Sequence, residues 1–194
     1  MINYITSHIK DNLRIMSSIL SDDVLLSRVQ AAANACIKAL QNGNKILLAG
    51  NGGSAADAQH IAGEFVSRFG FDRPGLSAIA LTTDTSILTA IGNDYGYEKL
   101  FARQIQAHGR VGDVFIAYST SGHSANVIAA LKEAEPIGLV CIGMTGSRGG
   151  PMEKLCDHYL AVPSVDTPKI QEAHAVLGHI LCGLVEHTLF KAPA

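Results

Sequence analysis

Apolar residues recur at two different spacings along the chain, and the spacing changes near residue 45. Before that point one stripe steps by three or four residues, the period of one helix face: Ile5, Ile9, Leu13, Met16 and Leu20. A second stripe of the same kind follows a break at residues 21–23: Val29, Ala32, Cys36 and Leu40. Residues 2–42 are therefore predicted to form two helices. Because the first has little of its own domain to pack on, we expect it to contribute to an oligomer interface.

From residue 45 onwards, short and continuously apolar runs alternate with helical patterns. The strand candidates are 45–49, 77–81, 113–118, 138–143 and 158–162, and the helix candidates are 54–69, 85–107, 123–135, 150–156 and 168–190. This alternation is typical of a parallel sheet covered by helices on both faces. The pattern predicts one α/β domain over 1–194, a doubly wound five-stranded parallel sheet with residues 2–42 as a helical extension. In such sheets ligands bind where strands end and loops lead into helices.

The first such loop is Gly50-Asn-Gly-Gly-Ser54, directly after the strand 45–49. Ser54 is predicted to cap the next helix, with Asp57 at the capping-box spacing. Glycines bring backbone N–H groups close to an anion at a helix N-terminus. The loop also fits the dinucleotide pattern GxGxxA, but no acidic residue follows at the end of the next strand, since Asp84 comes too late. A glycine turn without any ligand remains the third interpretation.

The second loop, Ser119-Thr-Ser-Gly-His-Ser124, follows the strand 113–118 and precedes an apolar helix. Four hydroxyl groups and a glycine at a helix N-terminus suit a phosphate monoester held by neutral donors. A serine and threonine cluster at such a position more often serves as a simple cap. Two converging anion loops in one sheet nevertheless favour a small phosphorylated ligand, and His123 is interpreted as an exposed loop residue.

His60 and Glu64 are four residues apart on the helix after the first loop, so they share one face. Gln171 and His179 lie eight apart on the C-terminal helix and also share a face, whereas His174 lies off it. An amide oxygen, a carboxylate and two imidazoles can hold zinc, or the same groups can act directly as acid and base. Spacing alone does not bring the two helices together.

Composition narrows the function classes. Hydrophobic residues make up 47% and charged residues 16% of the 194 residues, so disorder is not expected. A net charge of −2 without any run of like charge gives no nucleic-acid surface and no polybasic membrane anchor. The N-terminus lacks the pattern of a signal peptide, and no apolar run is long enough to span a membrane. We therefore expect a cytoplasmic protein that binds neither nucleic acid nor membrane.

Taken together, these segments resemble the SIS-domain phosphoheptose isomerases, bacterial enzymes that act on sedoheptulose 7-phosphate. The resemblance covers essentially the whole chain and is carried by five parts: the helical pair, Gly50–Glu64, Gly92–Gly96, Ser119–Ser124, and Ile170–His174 with His179. It implies a flavodoxin-like SIS fold and a homotetramer whose active sites are built from neighbouring subunits.

The resemblance also implies roles for individual residues. The implied substrate contacts are Asn51, Gly52, Gly53, Glu64, Asn93, Asp94, Ser119, Thr120, Ser121, Ser124 and Gln171. One Zn²⁺ per subunit would be held by His60, Glu64, Gln171 and His179.

The implied reaction converts D-sedoheptulose 7-phosphate to D-glycero-D-manno-heptose 7-phosphate through an enediol, the first step towards ADP-heptose or GDP-heptose for surface polysaccharide such as lipopolysaccharide or capsule. Glu64 would be the base and His179 the acid, although zinc would compete for the same atoms. A non-enzymatic relative that binds the replication initiator protein lacks counterparts of Glu64 and His179. Both residues are present here, which favours the enzyme over that adaptor. A sugar-phosphate sensor is the third possibility.

Overall fold

The computed structural model describes residues 1–190, which form seven α-helices and five β-strands. The helices are α1 (Ile2–Leu20), α2 (Asp23–Gln41), α3 (Gly53–Val66), α4 (Thr85–Asp94), α5 (Ala102–His108), α6 (Ala125–Ile137) and α7 (Thr167–Leu189). The strands are β1 (Ile46–Ala49), β2 (Ala78–Ala80), β3 (Val114–Tyr118), β4 (Val140–Gly146) and β5 (His158–Val162). Two 3₁₀ turns, Tyr97–Lys99 and Pro151–Leu155, complete the described chain.

All five strands are parallel and lie in the order β2-β1-β3-β4-β5. The strand order reverses between β1 and β3, so their following loops leave the sheet in opposite directions and open a crevice there. Ala49 of β1 is paired with Ala117 of β3, so the first and second predicted loops begin side by side. The predicted doubly wound parallel sheet is confirmed, and it brings both loops to the reversal point.

The sheet divides the core into two layers. Buried residues of α1, α2, α3 and α7 pack on one face, and residues of α4, α5 and α6 pack on the other. The strands β1 and β3 are buried along their whole length because helices cover both faces. Within residues 1–190, no helix is both long and apolar enough to cross a membrane.

Several predicted elements differ from the observed ones: the helix predicted for 150–156 is the 3₁₀ turn Pro151–Leu155, and the helix predicted for 54–69 ends at Val66. The continuous helix predicted for 85–107 is wrong, because the chain turns at Gly96 (φ +84°) and forms α4, a 3₁₀ turn and α5 instead. The fourth strand begins at Val140 instead of Gly138, because Gly138 adopts a left-handed conformation (φ +87°) that ends α6.

The N-terminal helix packs on its own chain mainly through residues outside the predicted stripe, of which Met16 alone packs on the core. Ile15 and Ile19 are buried, whereas Ile5, Ile9 and Leu13 are more than half exposed. The rest of the expected stripe, including Leu20, is apolar but uncovered within this chain. Its use as an oligomer interface stays a prediction.

Candidate active site

The glycine loop, residues 50–54, turns sharply from β1 into α3. A side chain at position 50 would meet the Ser54 carbonyl oxygen, since a Cβ there would lie 2.6 Å from it. Gly52 has a φ of +56° and directly precedes the helix, which begins at Gly53. The predicted N-cap at Ser54 is therefore wrong: Ser54 is the buried second residue of α3, and no side chain caps this helix. Backbone N–H groups thus begin the helix without a side-chain cap, as an anion site requires.

The serine loop, residues 119–124, leads from β3 into α6. The Ser119 and Ser124 hydroxyl oxygens lie 2.8 Å apart, and the Ser124 N–H donates to the Ser119 oxygen at 3.3 Å. The Ser121 hydroxyl accepts a hydrogen bond from the backbone N–H of His123, whose side chain is exposed as expected. No side chain caps α6, so this loop also presents a helix N-terminus with neutral donors.

A reciprocal amide pair joins the glycine loop to the first turn of α6, directly after the serine loop. The Asn51 amide donates to Asn126 at 2.9 Å, and the Asn126 amide donates to Asn51 at 2.8 Å. The Tyr97 hydroxyl donates to the same Asn51 oxygen at 2.9 Å. Neither Asn126 nor Tyr97 was identified from the sequence. An amide in the first turn of an apolar helix is the one signal that could have pointed to Asn126.

Three predicted chemical groups converge between α3 and α7. The two helices run in parallel, and the Nε2 atoms of His60 and His179 lie 2.8 Å apart. Glu64 Oε1 is 3.3 Å from His60 Nε2, and the ligand atoms of all three residues lie within 4.8 Å of one another. Two residues that are 119 positions apart in sequence therefore share one site. His60 is about half exposed and Glu64 about a quarter, so solutes can reach the group.

The remaining predicted residues lie elsewhere. The Gln171 amide rests against the glycine loop, because a Cβ at Gly53 would lie 2.5 Å from its nitrogen. Gln171 precedes His179 by eight residues, which is about 12 Å along a helix. Asn93 and Asp94 are exposed at the end of α4 and bond to each other at 2.8 Å. No hydrogen bond links either of them to the two loops within residues 1–190.

Burial shifts the pKa values of two further polar residues on α3 and α7, Asp57 and His174. Burial raises the pKa of Asp57 to about 6, partly offset by nearby His60, and its Oδ2 is buried with no partner in residues 1–190. Burial lowers the pKa of His174 to about 4, and its Nε2 bonds to the Thr145 carbonyl oxygen at 3.2 Å. His174 is thus a neutral core residue, in agreement with its position off the face that Gln171 and His179 share.

The converging atoms suit a zinc ion. Two imidazole nitrogens and one carboxylate oxygen are a donor set that zinc binds readily, and a catalytic zinc site keeps a further position open. The dinucleotide interpretation gains no support, since the Asp84 carboxylate accepts from the Ile87 N–H at 2.9 Å and caps α4.

Comparisons with known proteins agree with this geometry. A model of the SIS domain matches residues 9–146. The chain is 67% identical over 189 residues to the phosphoheptose isomerase of Burkholderia pseudomallei (strain 1710b), covering 97% of this chain and 96% of that protein. It is 60% identical over 191 residues to the phosphoheptose isomerase of Aneurinibacillus thermoaerophilus, covering 98% and 96%.

Solved structures give the same result. The phosphoheptose isomerase of Neisseria gonorrhoeae superposes with a TM-score of 0.88 at 42% identity, covering 94% of this chain and 97% of that one. The enzyme from Francisella tularensis superposes with a TM-score of 0.91 at 34% identity, covering 96% and 98%. From its sequence and its fold alike, the chain belongs to the phosphoheptose isomerase family of SIS-domain proteins.

Proposed function

We propose that the protein isomerises D-sedoheptulose 7-phosphate to D-glycero-D-manno-heptose 7-phosphate, the first step towards the nucleotide-activated heptose of surface polysaccharide. The observation that carries this proposal is the convergence of His60, Glu64 and His179 beside two loops that open at helix N-termini. Relatives at 60–67% identity over nearly the whole chain, named phosphoheptose isomerases, support the substrate class.

The serine loop is proposed to hold the phosphate. Its hydroxyl groups and the uncapped start of α6 offer neutral donors to an anion. The glycine loop would contact the sugar chain through Asn51, Gly52 and Gly53. Binding at the phosphate end orients the reacting carbons, which lowers the entropy that the chemical step must lose.

The remaining predicted contacts extend this arrangement. Thr120 and Ser121 lie in the serine loop, and Gln171 rests against the glycine loop. Asn93 and Asp94, exposed on α4, would contact the sugar chain only as the substrate fills the crevice.

Glu64 and His179 are proposed as the acid–base pair. Glu64 accepts a proton from C1 of the open-chain ketose while His179 donates a proton to the C2 oxygen. The C–H electron pair forms the C1=C2 bond as the carbonyl bond opens, which gives an enediol. Glu64 then returns the proton to C2, and His179 accepts the proton from the C1 hydroxyl, which gives the aldose and restores both residues.

A single Zn²⁺ per subunit is proposed as the cofactor, held by His60, Glu64, Gln171 and His179. When bound, zinc would polarise a carbonyl group and stabilise negative charge on oxygen. Because it would compete for the Glu64 and His179 atoms, either it is partly displaced during turnover or it mainly organises the site while Glu64 alternates between base and acid. His60 and His179 already direct their Nε2 atoms towards each other, so little rearrangement of the helices is needed for these two ligands. The Gln171 amide has to turn away from Gly53 to join them.

The assembly is proposed to be a homotetramer in the cytoplasm. The uncovered stripe of α1 supports an interface between subunits, because apolar residues in that number gain stability when covered. A cytoplasmic location fits a sugar-phosphate substrate, which is charged and does not cross membranes freely.

The direct test supplies sedoheptulose 7-phosphate and follows the formation of aldoheptose 7-phosphate. Wild-type protein is expected to turn the substrate over, and Glu64→Gln is expected to lose at least about 100-fold in kcat. Glu135→Gln, an exposed substitution on α6, provides the matched control and should retain wild-type activity.

Other results point to other functions. Substrate binding without turnover would indicate a sugar-phosphate sensor. No isomerisation, together with specific binding to the replication initiator protein, would indicate an adaptor. Unchanged turnover in Glu64→Gln would reject Glu64 as the base.

A further inference from the structure

The segment from Ser67 to Gly75, called the strap here, joins α3 to β2 without helix or strand, yet it is bound tightly to α7. Its anchor is the carboxylate of Glu186, which is fully buried. Glu186 Oε1 accepts from the Phe69 N–H at 2.9 Å and from Arg73 Nε at 3.0 Å, and Oε2 accepts from the Gly70 N–H at 2.6 Å. The Arg73 side chain is only 2% exposed. The strap is therefore held by a buried ion pair with its hydrogen bonds made.

Electrostatics keeps this ion pair charged. Burial alone would raise the pKa of Glu186, but the two backbone donors and Arg73 outweigh burial and hold the pKa below its ordinary value. Gly70 allows the close approach, since a Cβ there would lie 3.1 Å from Glu186 Oε2. The strap sequence thus fits the carboxylate in both charge and shape.

Arg73 also holds the end of the helix that carries the proposed base. Its guanidinium donates to the carbonyl oxygens of Glu64 at 2.8 Å and Phe65 at 2.7 Å. Carbonyls in the last turn of a helix have no partner within the helix, so an arginine there fixes the turn. One side chain therefore connects the backbone of Glu64 to α7.

Phe69 extends this connection to the proposed acid. Its ring packs on the His179 imidazole with the centroids 5.5 Å apart. The ring lies over Gly183, where a Cβ would be 3.3 Å from it, so the absence of a side chain at 183 makes room. A second ring on the strap, Phe71, packs on His187 instead and does not contact the three converging residues.

We propose that Arg73 and Glu186 are positioning residues that hold Phe69 against His179 and so set the orientation of the proposed acid relative to Glu64. The inference rests on the proposed isomerase function for its catalytic consequence. Its structural content, that the ion pair keeps Phe69 on His179, stands independently of any substrate.

The first test compares two substitutions of the same size on the strap. Phe69→Leu removes the ring on His179 and is expected to lower kcat about tenfold with KM within twofold, whereas Phe71→Leu should retain wild-type kcat. Phe69→Tyr restores a ring and is expected to restore kcat. Equal kcat in Phe69→Leu and Phe71→Leu would overturn the proposal.

The second test changes the ion pair. Arg73→Lys keeps the charge but cannot serve both the carboxylate and the two carbonyls, because an ammonium lacks the planar fork of guanidinium. Its loss in kcat is expected to match that of Phe69→Leu, and the double variant should be no slower than the slower single variant. Additive losses would overturn the idea that Arg73 acts through Phe69.

A third readout needs no turnover. The imidazole NMR signals of His179, assigned with His179→Gln, experience the ring current of Phe69. In Arg73→Lys they are expected to move to their positions in Phe69→Leu, although Phe69 is still present. If they stay at the wild-type positions in folded Arg73→Lys, the proposal is wrong.

Failure to fold and failure of the proposed function remain distinguishable. If Arg73→Lys does not fold, Glu186→Gln replaces it, and if neither folds, the Phe69→Leu and Phe71→Leu pair decides. If wild-type protein does not isomerise the substrate, the proposed function falls. The NMR comparison then decides the positioning alone.

Discussion

The two ends of the candidate site are held in different ways. At the reacting end, defined as His60, Glu64 and His179, titratable groups project from the bodies of two parallel helices. At the anchoring end, defined as the glycine loop, the serine loop and the first turn of α6, neutral side chains bond to one another within the serine loop and between Asn51 and Asn126. Helix bodies fix atoms relative to each other, whereas linked loops fix the separation between two binding surfaces. Changes at the reacting end should therefore alter kcat, and changes at the anchoring end should alter KM.

The largest effect is expected at the proposed acid. His179→Gln keeps a polar side chain of similar reach but removes the imidazole, and kcat should fall about 100-fold or more with little change in KM. Steady-state kinetics measures both parameters. His187→Gln, the same substitution two turns further along α7, is the control and should retain activity.

A change confined to KM in His179→Gln would contradict the assignment of kcat effects to the reacting end and KM effects to the anchoring end. It would assign His179 to binding and leave Glu64 alone at the reacting end.

Metal removal is expected to have the next largest effect. Dialysis against a chelator should lower kcat at least about tenfold, and adding zinc should restore it. Elemental analysis should find about one zinc per subunit in the wild type and less in His60→Gln, because that variant removes a donor at the reacting end. Ser124→Ala, at the anchoring end, should retain the metal. Full activity in metal-free protein would show that the ion is incidental.

The anchoring end offers the third test. Asn126→Leu leaves the Asn51 amide without its reciprocal partner, and the lost hydrogen bonds correspond to a rise in KM of about tenfold. We expect kcat to change less than twofold, as measured by steady-state kinetics. Asn34→Leu, an exposed substitution on α2, is the control. A lower kcat at unchanged KM would mean that the loops also orient the reacting groups.

The anchoring end could be predicted from the sequence more fully than the reacting end. Continuously apolar strands and the two loop compositions were sufficient for the sheet and the anchoring end, since both depend on local pattern. The pairing of His60 with Glu64 follows from their spacing on one helix. Their meeting with His179 does not, because it depends on α3 packing in parallel on α7. At that contact position 178 is glycine, and a Cβ there would lie 2.6 Å from the Ile61 side chain, so the glycine leaves room for α3.

Other features depended on contacts that no local pattern reveals. Asn126 looks like an ordinary residue of an apolar helix until the fold sets it opposite Asn51. Ser54 is a typical N-cap residue, yet Gly52, with a positive φ, takes the N-cap position and the helix begins two residues earlier than that cap would place it. Arg73 lies in the segment between α3 and β2, and its buried partner Glu186 comes from α7, more than 100 residues further along the chain.

The smallest effect on turnover is expected from His174, the buried histidine of α7. His174 is buried and bonded to the Thr145 carbonyl, and burial lowers its pKa to about 4 from an ordinary value of 6.5. Between these two pH values the unfolded chain binds a proton that the folded chain does not, so stability falls as the pH decreases from 6.5 to 4. The free energy of unfolding is expected to fall by about 3 kcal/mol over this pH range. His174→Gln should flatten this part of the curve, measured by urea unfolding at several pH values, and should leave kcat at neutral pH unchanged. If kcat fell while the pH dependence of stability persisted, His174 would belong to the reacting end. The distinction on α7 between His179, which takes part in the reaction, and His174, which only stabilises the fold, would then be wrong.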